Sequence, residues 1–206
     1  MFKKDPLLNL DKSPHSPHSI IPRLIGKKNA LVLDVGCNNG LVGREMIRLS
    51  QASIDGVDIN EEALKKAGET YRKVFRRDLY QSKLEIDAEK YDYIVFSDIL
   101  EHLPRPDLIL RDAKKYLKDD GKIIISLPNV ARFEVRLGLL FGNFDYSPGI
   151  LSEDHLRFFT KKSAEKLIRE CGYEIERVIP TGLGHRLKNF SNLTAFQFIY
   201  VCKKIA

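Results

Sequence analysis

Asp34 closes an apolar run, Leu31-Val32-Leu33, and stands just before the turn Gly36-Cys37-Asn38-Asn39-Gly40. A helical pattern begins at once, with Leu41, Val42, Met46, Ile47 and Leu49 in register. A buried strand, a short glycine-flanked loop and a helix start together bring backbone close to a nucleotide-like ligand. Asp58 ends a second apolar run 24 residues later, a strand-helix-strand distance. The loop lacks the glycine spacing of a dinucleotide site and the terminal Lys-Ser/Thr of a phosphate-cradling loop. A carboxylate at its entrance repels phosphate and suits a cationic ligand. A second group, Asp98, Glu101 and His102, clusters where a later apolar run gives way to a helix, and His155 lies 53 residues beyond His102. Carboxylates and imidazoles so grouped take protons, or hold a divalent cation.

The elements that position these groups follow from periodicity. Strands are expected near 30–35, 53–58, 73–77, 91–96 and 121–127, with helices near 40–50, 61–70 and 105–118. A short helix is expected over Ser16–Ile25 on the ligand side, and a further helix near 161–172 precedes strands near 173–180 and 194–202. Lys114, Lys115 and Lys118 suit the C-terminal end of the third helix, and Gly121 releases the chain. This alternation implies a doubly wound, mostly parallel sheet with helices on both faces. Phe196, Phe198 and Tyr200 alternate along the last strand and read as core.

Asp34-Val35-Gly36-Cys37 with Gly40 resembles the first motif of the class I S-adenosylmethionine-dependent methyltransferases, whose cofactor is a sulfonium and an ammonium. The resemblance implies cofactor contacts at Asp34, Gly36, Asn38 and Gly40. Asn38 stands where the family has a third glycine, and asparagine tolerates positive φ better than most residues. Val57-Asp58-Ile59-Asn60 is similar to the second motif, which implies that Asp58, with Ile59 beside it, holds both ribose hydroxyls. Arg77-Asp78-Leu79 is similar to the adenine position, with Asp78 accepting from the exocyclic amine. The run ending at Ser97 resembles the fourth strand, and Glu101-His102-Leu103 with Pro106 the segment after it. The family fold is Rossmann-like, and the resemblance implies an antiparallel last strand.

Residues 128–160 break the alternation. Val135, Leu137, Leu139, Leu140 and Phe141 read as an amphipathic segment, followed by turn formers and aromatics and then by Asp154-His155, with Thr160 a helix N-cap. An insertion at the carboxyl end of a parallel sheet covers the ligand crevice. It reads as a substrate lid, with an oligomerisation helix in a homodimer as the alternative. It resembles bacterial methyltransferases associated with surface glycan assembly.

One domain over 1–206 is expected, with 1–15 flexible and with His15 and His18 solvated there. No apolar run approaches the ~20 residues of a membrane span. Three widely spaced cysteines and no secretory apolar stretch point to the cytoplasm. Residues 157–206 carry 10 basic and 4 acidic side chains and so hold the entire excess of +6. That segment is a solvated basic face or a surface for a phosphorylated, nucleic-acid or membrane-linked substrate. The expected reaction is O-methylation of a small-molecule or glycan-precursor acceptor, with His102 or His155 as base, Glu101 beside them and no metal. The alternatives are a metal-dependent RNA 2′-O-methyltransferase, whose pattern Asp98, Glu101, His102 and His155 resembles, and a non-catalytic binding protein of the same fold.

Overall fold

A computed structural model describes residues 13–87 and 89–205. Seven strands form one sheet in the order β3-β2-β1-β4-β5-β7-β6. They are β1 (Leu31–Val35), β2 (Ser53–Asp58), β3 (Lys73–Arg76), β4 (Tyr91–Ser97), β5 (Leu117–Pro128), β6 (Tyr173–Pro180) and β7 (Gln197–Lys204). The first five run parallel, and β7 lies antiparallel between β5 and β6. The helices are α1 (Pro17–Ile20), α2 (Leu41–Ser50), α3 (Glu61–Ala67), α4 (Pro106–Ala113), α5 (Phe133–Leu140), α6 (Lys161–Glu170), α7 (Leu183–Arg186) and α8 (Ser191–Thr194).

The strands read as continuous apolar runs because both faces of the sheet are covered. Alternate residues feed two cores. Leu33, Val35, Ile94, Phe96, Ile123, Ile125, Phe198 and Tyr200 pack with Ile109, Leu110 and Ile168 of α4 and α6. Val32, Val95, Ile124 and Ile199 pack on the other face with Val42, Met46, Leu64 and Ala67 of α2 and α3. The winding reverses between β1 and β4, and the carboxyl ends of strands at such a point form the crevice of doubly wound folds. Asp34 and Asp58 lie at the ends of β1 and β2, and Ser97 ends β4.

Several expectations are corrected. The third helix stops at Ala113, because residues 114–116 turn and Leu117 already pairs with Tyr91. The expected capping lysines therefore lie outside it, and Lys118 pairs with buried Asp92 at 2.9 Å, as Lys27 does at 2.6 Å. Phe196 precedes β7 and meets Arg132, whose guanidinium sits 5.5 Å from the ring centre, so only Phe198 and Tyr200 join the core. The segment expected to be amphipathic, α5, has no buried residue, and its leucines face outward on several sides. The expected flexibility of 1–12 falls outside the described residues. Residues 13–15 are docked: the Gly182 N–H donates to the His15 carbonyl, and the His15 ring stacks on His185 at 4.2 Å. His15 and His18 are half-buried rather than solvated. Thr160 caps α6 as expected, in a reciprocal box with Ser163. The three cysteines are free and buried. Among the described residues no helix is long and apolar enough to cross a membrane.

Candidate active site

The loop after β1 is bent by three residues with positive φ, Gly36 at 76°, Asn38 at 46° and Gly40 at 77°. Asn38 therefore does adopt the left-handed conformation that its place in the motif demands. Its side-chain oxygen also accepts from the Asn39 N–H at 2.7 Å. A Cβ on Gly36 would come within 2.6 Å of Ile99, so side-chain-free backbone is needed here for the chain's own packing. The Gly36 and Cys37 amides both donate to the Val57 carbonyl, which ties the loop to the end of β2. Asp58 completes the tie. One carboxylate oxygen accepts from the Asn38 N–H and the other from the Asn60 N–H, each at 2.8 Å. Asp34 is buried and accepts from the Tyr71 hydroxyl at 2.6 Å. Burial pushes the Asp34 carboxyl up to about 6; Tyr71 opposes this and the nearby Asp58 charge adds to it. Asp78 caps the short turn Leu79–Gln81 by accepting from the Tyr80 N–H. Leu79 is buried in the core, whereas Ile59 is exposed beside Asp58.

The second group gathers at the end of β4. Glu101, His102 and His155 offer ligand atoms that all lie within 4.8 Å of one another. The two rings meet edge to face, with centres 4.8 Å apart. His102 Nδ1 lies 3.1 Å from the Asp154 carbonyl, and His155 Nδ1 lies 3.0 Å from the Ile150 carbonyl. A carbonyl only accepts, so each Nδ1 carries the proton and each Nε2 keeps a lone pair. Burial above all, with His102 adding to it, holds His155 below the ordinary histidine value, so its ring is neutral at neutral pH. Glu101 is 1% exposed, and neither carboxylate oxygen has a hydrogen-bond partner among the described residues. Burial first, then Asp98, pushes its carboxyl well above the usual range. The Glu101 carbonyl accepts from the Leu156 and Arg157 amides, which fixes the end of the insertion against it.

Asp98 does not join this trio. It has φ 53°, and one carboxylate oxygen accepts from Ser126 Oγ at 2.6 Å and Gln197 Nε2 at 2.8 Å. It is held as a structural acid between β4, β5 and β7.

A family model described as a methyltransferase domain matches residues 12–178. The chain belongs to this family. It is an S-adenosylmethionine-dependent methyltransferase with a Rossmann-like fold. Among curated relatives, a ubiquinone biosynthesis O-methyltransferase of Glaesserella parasuis is 28% identical over 179 residues, 81% of this chain and 73% of that protein. Its counterpart in Actinobacillus pleuropneumoniae is 36% identical over 115 residues, 52% of this chain and only 47% of that protein. The crystal structure of an S-adenosylmethionine-dependent methyltransferase from Aquifex aeolicus superposes with a TM-score of 0.66 at 15% identity, covering 95% of this chain and 94% of that one.

The crevice of the methyltransferase suits its cofactor. Burial and the nearby Asp58 charge both disfavour the ionised form of Asp34, and a cationic ligand offsets that cost. Sequence reasoning missed Tyr71, Ser126, Asp154 and Gln197. Gln197 had a signal: it interrupts Phe196-Gln197-Phe198-Ile199-Tyr200, and a polar group in a buried run needs a partner. Tyr71 had none, because its reach to Asp34 is set by how α3 returns to the sheet.

Proposed function

We infer that this methyltransferase transfers its methyl group to a hydroxyl of a small molecule, a glycan precursor included, and that His102 and His155 serve the acceptor. One observation carries the reading: two imidazoles, each with Nδ1 set on a backbone carbonyl, meet edge to face beside Glu101 just past the carboxyl end of β4. A hydroxyl is a poor nucleophile until its proton leaves, and a neutral imidazole at that place takes it. The relatives' names, which specify O-methylation, support the same reaction type. When bound, S-adenosylmethionine supplies a methyl already activated by its sulfonium. The chain's own share is alignment and proton removal. Asp58 and Ile59 hold the ribose end, Asp78 with the Leu79 main chain the adenine, and Asp34, Gly36, Asn38, Gly40 and Ser97 the remainder.

A row of rings lines the way in. Tyr146 meets Phe144 at 5.9 Å, Phe144 meets Phe158 at 5.8 Å, and Phe158 meets His155 at 6.3 Å. Such edges favour an acceptor with a flat apolar face. His155→Ala or His102→Ala should lower kcat by about 10²–10⁴-fold with little change in KM. Labelled cofactor and a cell extract fractionated by acceptor provide the assay. Equal turnover by wild type and both variants would remove the histidines from the reaction.

A divalent cation at Glu101, His102 and His155 is the second reading. The unpartnered, buried Glu101 carboxyl favours it, and so do the Nδ1–H bonds, since metal-binding imidazoles commonly donate their other N–H to a carbonyl. Manganese(II) titration followed by electron paramagnetic resonance separates the two. Binding lost in Glu101→Gln supports the cation; no binding leaves the histidines as bases.

A further inference from the structure

We propose that the face formed by α5 and the α7–α8 segment docks on the surface of an anionic lipid bilayer, so that the crevice opens toward that surface. The proposal takes the acceptor site to be where the previous subsection places it. Helix α5 and the turn after it expose Leu137, Leu139, Leu140, Phe141 and Tyr146, with Leu140 and Phe141 each 76% exposed. Apart from Glu134 and Arg136, α5 is apolar, and no core receives its leucines because none of its residues is buried. At 8 residues, α5 is about 12 Å long, far short of a bilayer core, so it can only lie in one leaflet's interface.

The α7–α8 segment adds to the same edge of the molecule. The Asn129 side-chain amide donates to the carbonyls of Asn192 and Ala195, at 3.0 and 3.1 Å, and Arg132 lies over Phe196. The root of the insertion is thereby fixed to residues 192–196. From that root the α7–α8 segment presents exposed Leu187 between the cations Arg186 and Lys188, with exposed Phe190 two residues on, and residues 181–195 contain no acid. At the other apolar cluster Arg132 is paired with Glu134 at 2.7 Å, and Arg136 is an exposed cation.

Charge decides the occupant. A two-fold dimer would press this face against itself and bring Arg186 and Lys188 toward their own copies. An anionic headgroup layer complements them instead, while the leucines and aromatics enter the acyl boundary. The ring row from Tyr146 to His155 then runs from the lipid interface to the paired imidazoles. An amphiphilic hydroxyl acceptor held in the bilayer is the class of substrate that such a route serves.

The test is co-sedimentation of the full chain with vesicles of phosphatidylcholine containing about one-third phosphatidylglycerol, and with phosphatidylcholine alone. The expected result is binding to the anionic vesicles that weakens with salt and is at least about tenfold weaker on neutral ones. Leu140→Glu with Phe141→Glu should lose that binding at least tenfold. Because both positions face outward, the variant should keep its melting temperature and its affinity for S-adenosylhomocysteine. Arg186→Glu with Lys188→Glu should lose the preference for anionic lipid. Wild type that ignores both vesicle types, or a Leu140/Phe141 variant that binds as well as wild type, overturns the proposal. So does a wild-type dimer, seen by sedimentation velocity without lipid, that this variant abolishes. Vesicle binding does not read out methyl transfer, so failure of the acceptor reading and failure of this one are told apart.

Discussion

Asp34 is the acid proposed to face the cofactor's positive charge. Its carboxyl titrates near 6 when folded, against 3.8 ordinarily, because it is buried. A raised acid favours the fold while protonated, so its contribution is full below about pH 4 and is lost as pH rises through about 6. Asp34→Asn should therefore raise stability at pH 8, by up to about 3 kcal/mol on the size of the shift, as read by the melting temperature. Cofactor affinity should move the other way. A cationic ligand prefers the ionised form, so S-adenosylhomocysteine should bind more weakly as pH falls through about 6, by up to tenfold per unit. Calorimetry from pH 8 to pH 5 should show that slope in wild type and a weak, flat response in Asp34→Asn. A flat wild-type response would place the ligand's charge away from Asp34. This residue's place was legible in the sequence: a buried acid near the end of β1, before a glycine-flanked turn. Its Tyr71 partner was not, because nothing local links positions 37 residues apart. The same limit hid the Asp98–Gln197 bond, 99 residues in separation.

Among the elements, β2 shows how polar groups are tolerated inside this sheet. Asp55 is fully buried on β2, where Arg72 pairs with it in a bidentate contact and the Tyr91 hydroxyl donates to it at 2.8 Å. Asp55→Ala leaves the buried Tyr91 hydroxyl without its acceptor, at about 1–3 kcal/mol, while Arg72 keeps Glu89, so the variant should unfold at a lower denaturant concentration than wild type. A midpoint shift near zero would mean that Arg72, more than a third exposed, simply turns to water. The insertion is fixed at its ends rather than along its length. Asn129 pairs with Phe159, and Leu156 and Arg157 donate to Glu101. Hydrogen exchange should be slow at 156–157 and fast over 137–146, and S-adenosylhomocysteine should slow it between Phe144 and His155 if the insertion works as a lid. Equal protection in both states would mark a fixed contact. The strands were readable because two-sided burial writes a continuous apolar run. The end of α4 was misplaced because lysines in a turn and lysines closing a helix look alike in sequence. The exposure of α5 was misread because its leucines are spaced as if a core awaited them.

Taken whole, the molecule places its chemistry at one edge of one sheet. The winding reversal between β1 and β4 brings Asp34 and Asp58, at the ends of β1 and β2, to the same edge as Glu101, His102 and His155. The mostly parallel sheet and the antiparallel β7 were both legible, the second through family resemblance, whereas the strand order came only with the structure. The acceptor's identity was not, because it depends on how residues 128–160 return over the sheet. The central claim is that the cofactor lies along the carboxyl edge with its ribose on Asp58. Calorimetric titration of S-adenosylhomocysteine into wild type and Asp58→Ala tests it most directly, with circular dichroism confirming that both are folded. Two charge-assisted hydrogen bonds of about 1.5–3 kcal/mol each predict an affinity at least about tenfold weaker in the variant. Equal affinities would contradict the placement, and no binding by folded wild type would contradict the account as a whole.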